Sequence, residues 1–127
     1  MRVVVTDTGP LQYLILIGQV DVLPALFTGV TAPTEVRAEL MHPAAPELLR
    51  HWAASPPSWL TVTSAPVPDD PRHARLGARE AAAISLALAR HAGLLLMDDR
   101  SGVVAARAKG LDVIGTVGVL DGPPRAD

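Results

Sequence analysis

Val3-Val4-Val5-Thr6-Asp7-Thr8-Gly9-Pro10-Leu11 is the stretch that decides the fold. Three consecutive Val residues read as a strand buried on both faces, the pattern of a central parallel strand. Asp7 stops that run, Gly9 and Pro10 turn the chain, and a short helix is expected over residues 10–17. An acid at the carboxyl end of a central strand points into the crevice where open α/β sheets bind ligands. The competing reading makes Asp7 a helix N-cap. The crevice gains weight because the chain repeats the gesture: Leu94-Leu95-Leu96-Met97 is a second fully apolar strand, ended abruptly by Asp98-Asp99.

The remaining segments fit around these two strands. Gly18 ends the first helix and residues 21–27 form another. Gly29-Val30-Thr31-Ala32 is a short strand, after which Pro33 breaks the chain and Thr34 is placed to cap a helix Glu35–Met41. Glu47 to Ala54 reads as a helix, and Trp59 to Thr63 as a strand. Ser64 to Arg72, with Pro66, Pro68 and Pro71, is the longest loop. Gly77 to His91 is the clearest helix, with Ala81, Ile84 and Leu88 on one face and Gly93 as its stop. Ser101 is expected to cap a helix through Lys109; Leu111–Gly115 is the last strand and Thr116–Leu120 a final turn or short helix. Strands alternating with helices predict an α/β fold whose central sheet is parallel and covered on both faces. The expectation is one domain over residues 1–121 and a polar tail, 122–127, that frays.

Composition narrows the chemistry. The 127 residues include no Cys, which removes disulfides and thiolate metal sites. No apolar run approaches the roughly 20 residues of a membrane span, and the start shows no signal-peptide pattern, so a cytoplasmic address is the default. A net charge of −2 does not advertise nucleic-acid binding, and the sparse aromatics do not build a base-stacking platform. Hydrophobic content is 49%, and Trp52 and Trp59 flank a Pro-rich loop. That is more apolar surface than one small core hides, unless both rings pack inside.

Asp7 and Asp98-Asp99 end two of the most buried strands, so they converge if those strands are neighbours. Glu80 lies in the first turn of the longest helix, past a loop that reaches the same sheet edge or its opposite. Taken singly, Glu80 is an acid stabilising a helix N-terminus, Asp99 an N-cap and Asp98 a turn residue. Taken together, several carboxylates in one crevice raise one another's pKa unless a cation neutralises them. Mg²⁺ or Mn²⁺, with its preference for oxygen ligands, suits that set; Zn²⁺ does not, because His42, His51, His73 and His91 show no ligand spacing. A carboxylate-held metal site can hydrolyse phosphodiesters. Carboxylates repel phosphate, so a nearby cation must offset them, and Arg100 is the best candidate. No G-x-S-x-G, G-x-G-x-x-G or Walker A sequence offers another chemistry.

With these residues in view, the chain resembles PIN-domain proteins, and most closely those related to the toxin nucleases of toxin–antitoxin pairs. The matching stretches are Asp7-Thr8-Gly9-Pro10-Leu11, Pro33-Thr34-Glu35-Val36-Arg37-Ala38-Glu39-Leu40 and Gly77-Ala78-Arg79-Glu80-Ala81. They continue with Leu95-Leu96-Met97-Asp98-Asp99-Arg100 and Val113-Ile114-Gly115-Thr116-Val117-Gly118. The resemblance implies a three-layer α/β/α sandwich and metal-dependent ribonuclease activity. It implies an acidic cluster of Asp7, Glu39, Glu80 and one of Asp98 and Asp99, with Asp99 the first choice as ligand and Asp98 the second. Glu35 is off the motif and is given to solvent. Similar sequences often carry a basic residue where this chain has Val103, which leaves Arg100 and Arg107 near the acids to meet phosphate. The resemblance further implies RNA as substrate, an antitoxin partner and a homodimer. The alternative is a non-catalytic PIN-like module that requires a partner protein. A receiver-like phosphate domain fits worse, because the first strand ends in one acid and the sole Lys, Lys109, precedes the last strand.

Overall fold

The computed structural model describes residues 3–67 and 76–122. The expected loop Ser64–Arg72 lies partly outside the described residues, and so does the expected tail apart from Gly122. In chain order the elements are β1 (Val4–Thr6), α1 (Thr8–Leu16), α2 (Val22–Phe27), β2 (Val30–Pro33), α3 (Thr34–Leu40) and α4 (Glu47–Ala54). They continue with β3 (Leu60–Thr63), α5 (Ala78–Ala89), β4 (Leu94–Leu96), α6 (Arg100–Ala108), β5 (Val113–Ile114) and α7 (Thr116–Asp121). The five strands form one parallel sheet in the order β3-β2-β1-β4-β5. Val5 pairs with Thr31 on one side and Leu95 on the other, so β1 is central. Val4 and Val5 are buried as expected, but Val3 lies before the strand and is exposed.

The pleat divides the core in two. Val4, Leu94 and Leu96 face one layer with Leu11, Leu14, Leu23, Val36, Leu49 and Val119, drawn from α1, α2, α3, α4 and α7. Val5, Leu95 and Met97 face the other layer with Ala83, Ile84, Leu86 and Ala87 of α5 and Ala106 of α6. The result is a three-layer α/β/α sandwich. Every residue from Glu80 to Ala87 in α5 is buried, because that helix packs on β1, β2 and β4 while also touching α3 and α6. Its run of Ala is what allows neighbours on all sides. Ile84 and Leu86 each gain about 2 kcal/mol from burial.

Local details correct several expectations. The first helix starts at Thr8 rather than residue 10. Pro33, not Thr34, occupies the N-cap of α3, and the Thr34 hydroxyl donates to Glu35 Oε1 at 3.1 Å. Pro33 already sets the extended entry, so the helix begins one residue sooner. Asp99, not Ser101, caps α6, accepting the Gly102 amide at 2.9 Å. The helix before β4 ends at Ala89, and His91 takes the left-handed conformation (φ 50°) that had been expected of Gly93. Trp52 and Trp59 pack on each other, with ring centroids 6.0 Å apart, and against the first core.

Candidate active site

All five strands are parallel, and α1, α3, α6 and α7 each follow a strand directly. Their N-termini therefore sit on the carboxyl edge of the sheet. Because α5 precedes β4 and runs back across the sheet, its N-terminus, with Glu80, lies on the same edge. From central β1 the chain moves to β2 on one side and later to β4 on the other. That is a topological switch point, where open α/β sheets form their ligand crevice. Asp7 follows β1 and Asp98-Asp99 follow β4, so both flank it; the Asp7 amide donates to Leu96 O at 2.9 Å.

Asp7 is 2% exposed. It stands at the N-cap position of α1 with extended backbone, yet its side chain makes no capping hydrogen bond. Its Oδ1 is buried without a hydrogen-bond partner. The capping reading therefore fails. Burial pushes the carboxyl up from 3.8 to about 6; the Thr8 amide and Arg79 pull it down, and the charges of Glu80 and Asp99 push it further up.

Glu80 is 7% exposed in the first turn of α5, and its Oε2 is also buried without a hydrogen-bond partner. The carboxylate folds back over Gly77: a Cβ there would stand 2.5 Å from Oε2, so glycine clears that path. Arg79 Nε lies 3.3 Å from Glu80 Oε2, within ion-pair range but misaligned for a hydrogen bond. Arg79 Nη1 donates to Glu39 Oε1 of α3 at 2.5 Å. Glu39 is exposed on the rim of an open cleft of about 450 Å³, lined also by Glu35, His42, Gly77, Arg79 and Glu80.

The two acids after β4 are exposed and differently engaged. Asp98 Oδ1 accepts the Thr116 amide at 2.7 Å, and Oδ2 accepts the Thr116 hydroxyl. Asp98 thus ties the end of β4 to the start of α7, and a Cβ on Gly115 would collide with it at 2.5 Å. Asp99 caps α6 through Oδ2 and contributes to the field at Asp7. Arg100 is exposed as the first residue of α6.

The structure thus brings Asp7, Glu80 and Asp99 within electrostatic reach, sets Glu39 on the rim and commits Asp98 to α7. Among the described residues no three His, Cys, Asp or Glu side chains stand close enough to hold one ion together. Two buried carboxylate oxygens without hydrogen-bond partners, Asp7 Oδ1 and Glu80 Oε2, nevertheless suit a hard cation. Mg²⁺ is commonly held by one or two carboxylates with water completing its octahedron. Sequence reasoning gave no role to Arg79, though its place beside Glu80 was the available signal. It also left His42 out of the cleft, where Nδ1 accepts the Ala44 amide at 2.9 Å and so leaves the neutral ring's proton on Nε2.

A family model described as a PIN domain matches residues 3–122. The chain belongs to the PIN-domain family. That assignment agrees with the parallel five-stranded sandwich and with the resemblance carried by the acidic motifs. PIN domains are nuclease-type folds. Among curated proteins none matches the sequence. No helix among the described residues is long and apolar enough to cross a membrane.

Proposed function

We propose that this PIN domain is a Mg²⁺- or Mn²⁺-dependent endoribonuclease, the toxin of a toxin–antitoxin pair acting in the cytoplasm. The observation that carries the reading is the pair of buried carboxylate oxygens without a hydrogen-bond partner, Asp7 Oδ1 and Glu80 Oε2, on the carboxyl edge of the sheet. Leaving such groups unsatisfied costs roughly 1–3 kcal/mol each, a cost a bound cation removes. Asp7 and Glu80 would hold the cation, with Asp99 and then Asp98 as the next ligands once their capping bonds are released. When bound, Mg²⁺ or Mn²⁺ lowers the pKa of water and stabilises a departing phosphodiester oxygen.

The chain's own groups do the rest. Asp7, ionised above about pH 6, offers its buried charge to the cation, and binding would hold it deprotonated at lower pH. Arg100, at the exposed start of α6, meets a backbone phosphate and orients it toward the acids. Glu39, on the rim, holds the Arg79 guanidinium at the mouth of the cleft, beside Glu80. The cleft between α3 and α5 is open to solvent and is the side on which an RNA strand would approach the acids. Homodimerisation is supported by a second feature. Helices α1, α2 and α7 pack side by side, with Tyr13, Leu16, Ile17, Leu26, Val117 and Leu120 exposed along them. An antitoxin peptide would silence the site by placing a basic side chain among its acids.

The alternative, a non-catalytic PIN module that needs a partner, draws on the engagement of Asp98 and Asp99 in helix caps. One experiment separates the two. Purified protein is incubated with a panel of structured RNAs in Mn²⁺ or EDTA, alongside Asp7→Asn. The nuclease reading expects cleavage in Mn²⁺ that EDTA and Asp7→Asn both abolish. Cleavage that survives Asp7→Asn, or none by the wild type, overturns it.

A further inference from the structure

We infer that Arg79 is a resident counter-ion of the acidic cleft, and that it and a divalent cation antagonise each other for Glu80. The inference rests on the metal-site reading above and deepens it. Arg79 is the second residue of α5 yet reaches Glu39 on α3, so its guanidinium ties two helices of opposite layers across the mouth of the cleft. Its charge is also one of the influences that lower the Asp7 pKa.

The two arms of this tie differ in quality. On the Glu39 side the pair is hydrogen-bonded between half-exposed side chains, 35% and 47% accessible. On the Glu80 side the carboxylate is 9% accessible, and the atoms approach to 3.3 Å without hydrogen-bond alignment. Neither Arg79 Nε nor Glu80 Oε2 has a hydrogen-bond partner, although both atoms are buried. Passing Glu80 Oε2 from Arg79 to a cation therefore breaks no hydrogen bond. The Glu39 arm keeps the guanidinium at the rim afterwards. A guanidinium never deprotonates in a protein, so its charge opposes the cation at every working pH. By linkage, whatever Arg79 does to cation affinity, the cation does equally to the Arg79 contact.

A unit charge at contact range, about 5 Å, changes the affinity of a divalent ion by roughly tenfold even in the dielectric of water. The test is calorimetric titration of Mn²⁺ into the full chain, without RNA, for wild type, Arg79→Ala, Arg79→Gln and Arg79→Lys. Circular dichroism on each confirms the fold, and Arg79→Gln stands in if the alanine variant does not fold. We expect Arg79→Ala and Arg79→Gln to bind Mn²⁺ about tenfold tighter than wild type, with Arg79→Lys close to wild type. Binding by the neutral variants alone, with none by wild type, also supports the antagonism. Unchanged or weaker affinity in the neutral variants, with wild type binding normally, overturns the antagonism and leaves the metal-site reading standing. No binding by any of the four proteins overturns both.

Discussion

Replacing Asp7 by Asn should make the metal-free protein more stable near neutral pH, and the gain should vanish in acid. The carboxyl is raised from 3.8 to about 6, chiefly by burial, with Glu80 and Asp99 adding to the rise. A raised pKa means that the folded protein binds this proton more tightly than the unfolded chain does. Below about pH 3.8 the group is protonated in both states and carries no cost. As pH climbs toward 6 the unfolded chain ionises first, and stability falls; above 6 the whole cost is present. At about 1.4 kcal/mol per tenfold, that cost is about 3 kcal/mol. The amide of Asn is still a buried polar group in need of partners, which takes back roughly 1–3 kcal/mol. The net gain at neutral pH is therefore about 1 kcal/mol, or a few degrees in melting temperature. Scanning calorimetry in EDTA between about pH 4 and pH 7.5 reads this directly: the variant should lead at the upper end and trail at the lower. A difference between variant and wild type that does not change with pH would refute the assignment of strain to the Asp7 carboxylate.

Three further outcomes follow from the same geometry. Mn²⁺ at about a hundred times its Kd should stabilise wild type by about 2.7 kcal/mol and leave Asp7→Asn unmoved, as measured by melting temperature with and without the ion. Gly115→Ala drives a Cβ to 2.5 Å from Asp98 Oδ1, so it should cost about 1–3 kcal/mol by breaking the Asp98–Thr116 tie, read as a lower urea midpoint at unchanged slope. Arg100→Ala should weaken RNA binding and reduce the salt dependence by about one phosphate contact, with Mn²⁺ affinity unchanged; equal RNA affinity over a range of salt would remove Arg100 from the substrate site.

Much of this architecture is readable from local pattern. Val4 and Val5, and the run Leu94–Leu96, are buried on both faces as paired apolar residues in a covered sheet should be, and they lie in neighbouring central strands, whereas Val3 falls just outside β1 and is exposed. The helix α5 is equally plain in its existence, but not in its packing: Leu88, expected on the buried face with Ala81 and Ile84, is exposed, and Glu80 to Ala87 are buried on every side. Boundaries were less legible. Pro33 and Thr34 both suit a helix entry, and which one caps depends on how β2 delivers the chain. His91 could not be told from Gly93 as the stop, since a left-handed residue is set by the approach of β4 rather than by propensity. At the site, the strand-end position of Asp7 was legible. The separate employment of Asp98 and Asp99 was not: it depends on Thr116, 18 residues beyond Asp98, arriving at the neighbouring strand end. The reach of Arg79 to Glu39, 40 residues away, is likewise a product of tertiary packing between layers.

The central claim is that Asp7 and Glu80 together hold a divalent cation. Anomalous scattering from crystals grown with Mn²⁺ tests it most directly. The expected result is a peak about 2.1 Å from both Asp7 Oδ1 and Glu80 Oε2, with water completing the coordination sphere. A well-ordered crystal with no peak at those two oxygens, or with manganese bound only elsewhere on the surface, would contradict it.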